Sequence, residues 1–178
     1  MGQPKALLPF RGGTFVSVLA ETLSVCCAPV YAVFGFQAGQ IVKDAPGSVV
    51  AVENPDYQLG MLTSLQAGLR AMAELPDRVL FTLVDHPSVS RETVVALFRS
   101  EADIVMPRYA GKRGHPVVIG REIALEVLAE PATSKLNHVM DRHTAEIQYI
   151  DVDDAGVRDD IDNPQLYREL LAREGARA

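Results

Sequence analysis

The feature that most constrains this chain is a series of short, unbroken apolar runs, each cut off by Gly, Pro or an acid and followed by a stretch with helical periodicity. Pro29-Val-Tyr-Ala-Val-Phe-Gly35 and Ser48-Val-Val-Ala-Val-Glu53 are two such runs, the second ending at the turn signal Asn54-Pro55. Arg78-Val-Leu-Phe-Thr-Leu-Val84 is the most hydrophobic and leads straight into Asp85-His86-Pro87. Further strands are expected over 103–107, 115–119 and 146–152. Between them the spacing predicts helices over 14–25 behind Thr14, and over 61–75, where Leu62, Leu65, Leu69 and Met72 recur at three and four positions until Pro76 stops the pattern. Other helices are expected over 90–100 behind Ser90, 120–129, 133–142 and 164–174. A strand that is apolar at successive positions is buried on both faces, and strands alternating with helices give a mostly parallel sheet covered on both sides. Ligands of such sheets bind beyond the carboxyl ends of the strands, so residues just after strands are the ones to search for chemistry.

Length and charge narrow the class. A chain of 178 residues with 48% hydrophobic and 22% charged residues is expected to form one domain around a full core. No apolar run approaches the ~18–20 residues that span a bilayer, and the start lacks a secretory pattern, so a cytoplasmic protein without a membrane partner is expected. Net charge −6, from 17 basic and 23 acidic residues, argues against a nucleic-acid partner, which needs clustered Lys and Arg. Cys26 and Cys27 are adjacent, which excludes a long-range disulfide framework and zinc spacing, and they are expected as buried thiols.

Five segments carry candidate chemistry. In Met1-Gly2-Gln3-Pro4-Lys5, Gly2 permits close backbone approach and Pro4 fixes chain direction, so Lys5 is either a point charge for phosphate or a solvated lysine near the first residue. Asp85, at the end of a strand, either holds Mg²⁺ against nucleotide phosphates or caps its loop. The acidic stretch Asp151 to Asp162 places Asp151, Asp153, Gly156, Asp159 and Asp162 at positions one, three, six, nine and twelve of an EF-hand spacing. Ala155 at position five and a strand-like segment before it count against calcium, and Asp162, just before the last helix, is the acid singled out. Gly60-Met61-Leu62-Thr63-Ser64 opens a helix where free amides can meet a base or an anion. Gly111-Lys112-Arg113-Gly114-His115-Pro116 is a glycine-flanked cationic loop suited to closing on an anionic substrate, with His115 equally readable as structural. His86, His138 and His143 lack metal or triad spacing.

In this order, Met-Gly-Gln-Pro-Lys-Ala-Leu-Leu-Pro-Phe, Gly-Met-Leu-Thr-Ser-Leu-Gln-Ala-Gly-Leu, Leu-Val-Asp-His-Pro, Gly-His-Pro-Val and Asp-Ile-Asp-Asn-Pro resemble the molybdenum-cofactor nucleotidyltransferase-like family, and within it the cytidylyltransferase branch. The resemblance covers nearly the whole chain. It implies a Rossmann-like α/β three-layer sandwich of the nucleotide-diphospho-sugar transferase type, binding a nucleoside triphosphate with Mg²⁺. It implies an acceptor phosphate that attacks the α-phosphorus and releases pyrophosphate. By the same resemblance Lys5, Asp85 and Asp162 are catalytic, with Asp85 and Asp162 as metal ligands. Gly2, Pro4, Lys5, Asn54, Gly60, Met61 and Ser64 lie near the nucleotide, and His86, Gly114, His115 and Pro116 near the acceptor. These roles suit phosphoryl-type transfer, which depends on positioning and electrostatic stabilisation and needs no covalent nucleophile.

The chain departs from the family pattern twice. The family shows Asp-Gln-Pro where this sequence has Asp85-His86-Pro87. The family also carries a first strand and a Leu-Ala-Ala-Gly-x-Ser-x-Arg loop ahead of Met-Gly-x-Pro-Lys, and this sequence starts inside that motif, so an N-terminally truncated domain with weak or absent catalysis is expected. The expected reaction is transfer of CMP, or GMP, to a phosphorylated acceptor such as molybdopterin, with a molybdoenzyme as the downstream partner. The alternatives are another phosphorylated acceptor, such as a sugar or phospholactate, or a non-catalytic protein that delivers nucleotide or cofactor.

Overall fold

The computed structural model describes residues 4–42 and 45–176. A hairpin opens the fold: β1 (Pro9–Phe10) pairs antiparallel with β2 (Gly13–Thr14) across Arg11 and Gly12, both at positive φ, as a two-residue hairpin turn requires. Thr14 then caps α1 (Phe15–Leu23) in a reciprocal capping box with Ser17. Helix α1 buries Phe15, Val16, Val18, Leu19, Ala20 and Leu23, so apolar partners surround most of it.

β3 (Val30–Phe34) and β4 (Val49–Glu53) pair in parallel, joined through α2 (Ala38–Ile41). A 3₁₀ turn at Tyr57–Leu59 leads into Gly60, at φ +116°, and then α3 (Met61–Arg70). This helix stops five residues before the expected end at 75. The amides of Ala71 and Met72 turn back to Gly68 and Leu69 in a tight final turn, and Pro76 disfavours helical backbone at Leu75.

The second half builds a mixed sheet from β5 (Arg78–Phe81), β6 (Ile104–Tyr109), β7 (Lys112–Arg113), β8 (Val117–Gly120) and β9 (Ile147–Asp151). Strand β9 runs parallel to β6, whereas β8 runs antiparallel to both β5 and β6. The reversal is local: β6 turns back into β7 through Ala110 and Gly111, both at positive φ, and β8 follows on the return path. Helices α3, α5 (Arg121–Ala129) and α6 (Leu136–Arg142) cover one face of this sheet through Ile104, Met106, Val117 and Ile119. Helix α4 (Arg91–Arg99) covers the other through Leu97, Val105 and Val118. α7 (Pro164–Gly175), capped by the Asn163 carboxamide, closes over Phe15 with Leu166, Tyr167 and Leu170. The result is the layered α/β architecture expected from the alternation of elements.

Among the described residues no hydrogen-bonded pairing joins the β3–β4 sheet to the five-stranded one. Both strands facing this break, β3 and β5, are only partly buried, while β8 is buried at every position. Cys26 and Cys27 are half-buried beside it rather than fully buried, and burial, with Cys26 next to it, pushes the Cys27 thiol up to about 11. No helix among the described residues is long and apolar enough to cross a membrane.

Candidate functional site

Asp85 follows β5 in a loop that ends in buried His86 and Pro87. Its backbone carbonyl accepts from the Ile161 amide at 3.0 Å, which docks the segment 160–162 against it. Ile161 is buried, and the residues on either side of it project the other way, because successive side chains of an extended chain alternate. Asp160 and Asp162 therefore come to the same side, and oxygen atoms of Asp85, Asp160 and Asp162 lie within 4.8 Å of one another.

Lys5 enters this cluster from the N-terminal side. Its ammonium donates to Asp162 and stands 3.6 Å from Asp85. Burial works against the charged amine, but the hydrogen bond to Asp162 and the nearby carboxylates outweigh it and hold Lys5 above the ordinary lysine value. The same bond holds the Asp162 carboxyl below its usual range. Asp160 is shifted upward, by burial first and then by the charges of Asp85 and Asp162. Three carboxylates against one ammonium leave two formal negative charges in a small space. Oδ1 of Asp85 is buried with no hydrogen-bond partner among the described residues. A closely set, all-oxygen donor group with a free buried oxygen fits a hard divalent cation.

The acidic cluster borders a cavity of about 280 Å³. Asp160, His86 and His115 line it together with Met61, Phe81, Met106, Leu136 and Met140, and Arg113 and Arg158 stand at its rim. The His86 and His115 rings are 5.0 Å apart, and neither Nδ1 has a hydrogen-bond partner among the described residues. Burial, followed by the His86 charge, lowers His115 to about 4. Burial also lowers His86 in spite of Asp85, so both imidazoles are neutral at pH 7. His86 Nε2 is 3.8 Å from Asp85 Oδ1, too long for a hydrogen bond and, for a neutral ring, no ion pair.

The structure thus brings Lys5, Asp85, Asp162, His86 and His115 together. Pro4 opens the 3₁₀ turn that holds Lys5. Gly2 lies outside the described residues. Asn54 is buried and its carboxamide donates to Thr63 and Ser64 at 3.0 Å while accepting from the Asp56 amide, so it pins the start of α3. Gly60 and Met61 are exposed at that helix start, and Met61 reaches the cavity lining. Gly114 is pressed against the Val157 carbonyl, where a Cβ has no room, and the His115 amide donates to the same carbonyl at 3.0 Å. Pro116 is buried behind His115, outside the cavity lining.

The EF-hand spacing does not form a calcium loop. Asp151 pairs with Arg108, Asp154 caps the Ser90 turn and accepts from the Gly156 amide, and Asp159 is held by Ser88 and Arg173. Two residues escaped the sequence reading. Asp160 is brought into the cluster by the extended alternation around buried Ile161, and Arg158 reaches the rim through the 3₁₀ turn at Ala155–Arg158.

Comparison with known proteins shows the family and the fold. The family model described as the MobA-like NTP transferase domain matches residues 1–147. The molybdenum cofactor cytidylyltransferase of Escherichia coli (strain K12) is 23% identical over 180 residues, covering 98% of this chain and 89% of the relative. The nicotine blue oxidoreductase of Paenarthrobacter nicotinovorans is 33% identical over 183 residues, covering 94% and 88%. The crystal structure of Rv0371c from Mycobacterium tuberculosis H37Rv superposes with a TM-score of 0.78 at 22% identity, covering 97% and 91%, and that protein is also known as a complex with manganese.

Proposed function

Because the chain belongs to the MobA-like NTP transferase family, a family of nucleotidyltransferases, we propose that it moves CMP, or GMP, from the nucleoside triphosphate to a phosphorylated acceptor such as molybdopterin, with Mg²⁺. The observation that carries this reading is the meeting of Asp85, Asp160, Asp162 and Lys5 at the edge of a cavity lined by two neutral histidines. Asp85, Asp160 and Asp162 would hold a divalent cation, which would supply charge neutralisation and orient the triphosphate. Lys5 leaves Asp162 for the phosphate oxygens and offsets the negative charge that builds on the departing pyrophosphate. The acceptor's phosphate attacks as an anion, so a new P–O bond forms at the α-phosphorus as the α–β bridge breaks, and no general base is needed. His86 and His115, neutral and with free Nδ1 atoms, hydrogen-bond the acceptor body over an apolar floor. The guanidinium groups of Arg113 and Arg158 hold further anionic groups at the rim. The whole chain acts as one domain in the cytoplasm, where its product passes to a molybdoenzyme.

Pyrophosphate release, measured with each NTP, Mg²⁺ and either molybdopterin or another phosphorylated acceptor, tests this. CTP with molybdopterin is expected to be fastest. Release only with a sugar phosphate or phospholactate replaces the acceptor. CTP binding without release under any condition replaces the enzyme with a delivery protein. The relative named as an oxidoreductase supplies a second reading, a redox reaction at the same site. NAD(P)H oxidation without pyrophosphate release supports it instead.

A further inference from the structure

We infer that Asp159 is a positioning residue: bridging Ser88 and Arg173, it sets the spacing between the loop that carries Asp85 and the segment that carries Asp160 and Asp162. This role rests on the proposed reading of those three carboxylates as the cation site. Asp159 is not one of them. By the alternation that brings Asp160 and Asp162 to one side, it falls on the side of buried Ile161, and its carboxylate is only 13% exposed.

The two segments have to be held together against their own charge. Oxygen atoms of Asp85, Asp160 and Asp162 stand within 4.8 Å of one another, and like charges that close repel. Lys5 opposes the repulsion, as does the single backbone bond from the Ile161 amide to the Asp85 carbonyl. In the proposed reaction Lys5 leaves Asp162 for phosphate, so a tie that does not involve Lys5 is needed. The Ser88 hydroxyl, three positions after Asp85, donates to Oδ2 of Asp159, one position before Asp160. Among the described residues no other side-chain hydrogen bond joins 85–90 to 159–162.

Arg173 of α7 donates to the same oxygen. It balances the charge of an acid set among other acids, and it anchors the bridge to a helix packed on Phe15 through Leu170. Hydrogen bonds to an ionised acceptor are the strong ones, which suits a tie that has to hold two loops in register. The remaining contacts act further from the cluster. Asp154 accepts from the Ser90 amide at 2.8 Å and from the Thr93 hydroxyl at 2.7 Å, and Gly156 is pressed against the Ser88 carbonyl where a Cβ has no room. They seat the turn at Ala155–Arg158 and leave the run from there to Asp162 to Asp159 and Ile161.

Mn²⁺ affinity, titrated through the paramagnetic resonance signal of the free ion, and amide hydrogen exchange in chelator read the bridge separately from turnover. Ser88→Ala removes the hydroxyl and keeps every charge. It is expected to weaken Mn²⁺ binding about tenfold, the lower end of the loss when a group that orients metal ligands is removed. In metal-free protein it is expected to speed exchange of the Ile161 amide about tenfold, with the Val105 and Val118 amides of the sheet unchanged. Asp159→Asn keeps an oxygen for both donors and is expected to bind Mn²⁺ more tightly than Ser88→Ala. Weaker binding by Asp159→Asn than by Ser88→Ala makes Asp159 a source of charge and overturns the positioning role. Ser88→Ala with parental Mn²⁺ affinity or a parental Ile161 rate overturns it too, and so does faster exchange at Val105 and Val118 as well, which marks a general loss of stability. If Asp85→Asn in the otherwise unsubstituted chain leaves Mn²⁺ affinity unchanged, the cation site itself falls, and the bridge's role with it.

Discussion

Replacing Asp85 by Asn separates stability from activity, because the carboxylate cluster is an electrostatic liability without metal. With the oxygen atoms within 4.8 Å, each like-charge pair costs about 0.9 kcal/mol at the dielectric of water and about 3.5 kcal/mol at an effective value of 20. Asp85 meets two such neighbours and one ammonium at 3.6 Å, which returns about 1.2 or about 4.6 kcal/mol in the same two limits. The balance is unfavourable by about 0.6–2.4 kcal/mol, and the exposure of Asp162 and its screening by salt favour the lower end. Asp85→Asn is therefore expected to raise Tm by about 1–4 °C in a metal-free buffer. Saturating Mg²⁺ or Mn²⁺ reverses the order, since an ion at a hundred times its Kd stabilises the unsubstituted protein by about 2.7 kcal/mol, or about 5–10 °C. The variant keeps its metal-free Tm and loses about 100-fold or more in pyrophosphate release. Thermal scans with chelator and with metal decide the matter. A variant that melts lower than the parent in chelator, and responds to metal as the parent does, refutes the cluster as the cation site.

Two further outcomes concern stability away from the cation site. The Gln66 carboxamide, buried at 1% exposure, donates at 2.8 Å to the Val127 and Glu130 carbonyls at the end of α5. Gln66→Leu strands both carbonyls at a cost of about 2–4 kcal/mol, so Tm is expected to fall by about 5–15 °C, and a fall under about 2 °C contradicts the assignment. His115 titrates near 4 in the folded protein and near 6.5 unfolded, so below pH 6.5 the unfolded chain binds the extra proton and stability is lost as pH falls towards 4. The loss between pH 7 and 5 is about 1–2 kcal/mol, and His115→Gln is expected to flatten that part of the Tm–pH curve; an unchanged slope would place the pH dependence elsewhere.

Much of the fold is legible locally. Thr14 and Ser90 announce α1 and α4 because their hydroxyls accept the first free amides of those helices. The apolar runs mark β3, β4, β5 and β8, although only β8 is buried at every position. The short hairpin at Pro9–Thr14 and helix α2 have no apolar period long enough to read. Within the site, Asp85 stands out by its place after a strand, and Asp162 by its place before a helix. Asp160 is hidden among acids of similar appearance, because nothing local shows that Asp151, Asp154 and Asp159 are already engaged by Arg108, by the Ser90 turn, and by Ser88 and Arg173.

By itself, then, the sequence determined most of the succession of strands and helices and singled out Lys5, Asp85 and Asp162 as candidates, because caps, periods and residue types act over a few positions. The tertiary structure alone decided that β8 runs against its neighbours, that Ile161 anchors Asp160 to the Asp85 loop, and that the apolar strands β3 and β5 face a gap instead of each other. Strand partners and carboxylate distances depend on where the chain reverses and what it packs against, and those long-range choices leave no periodic trace in the residues that make them.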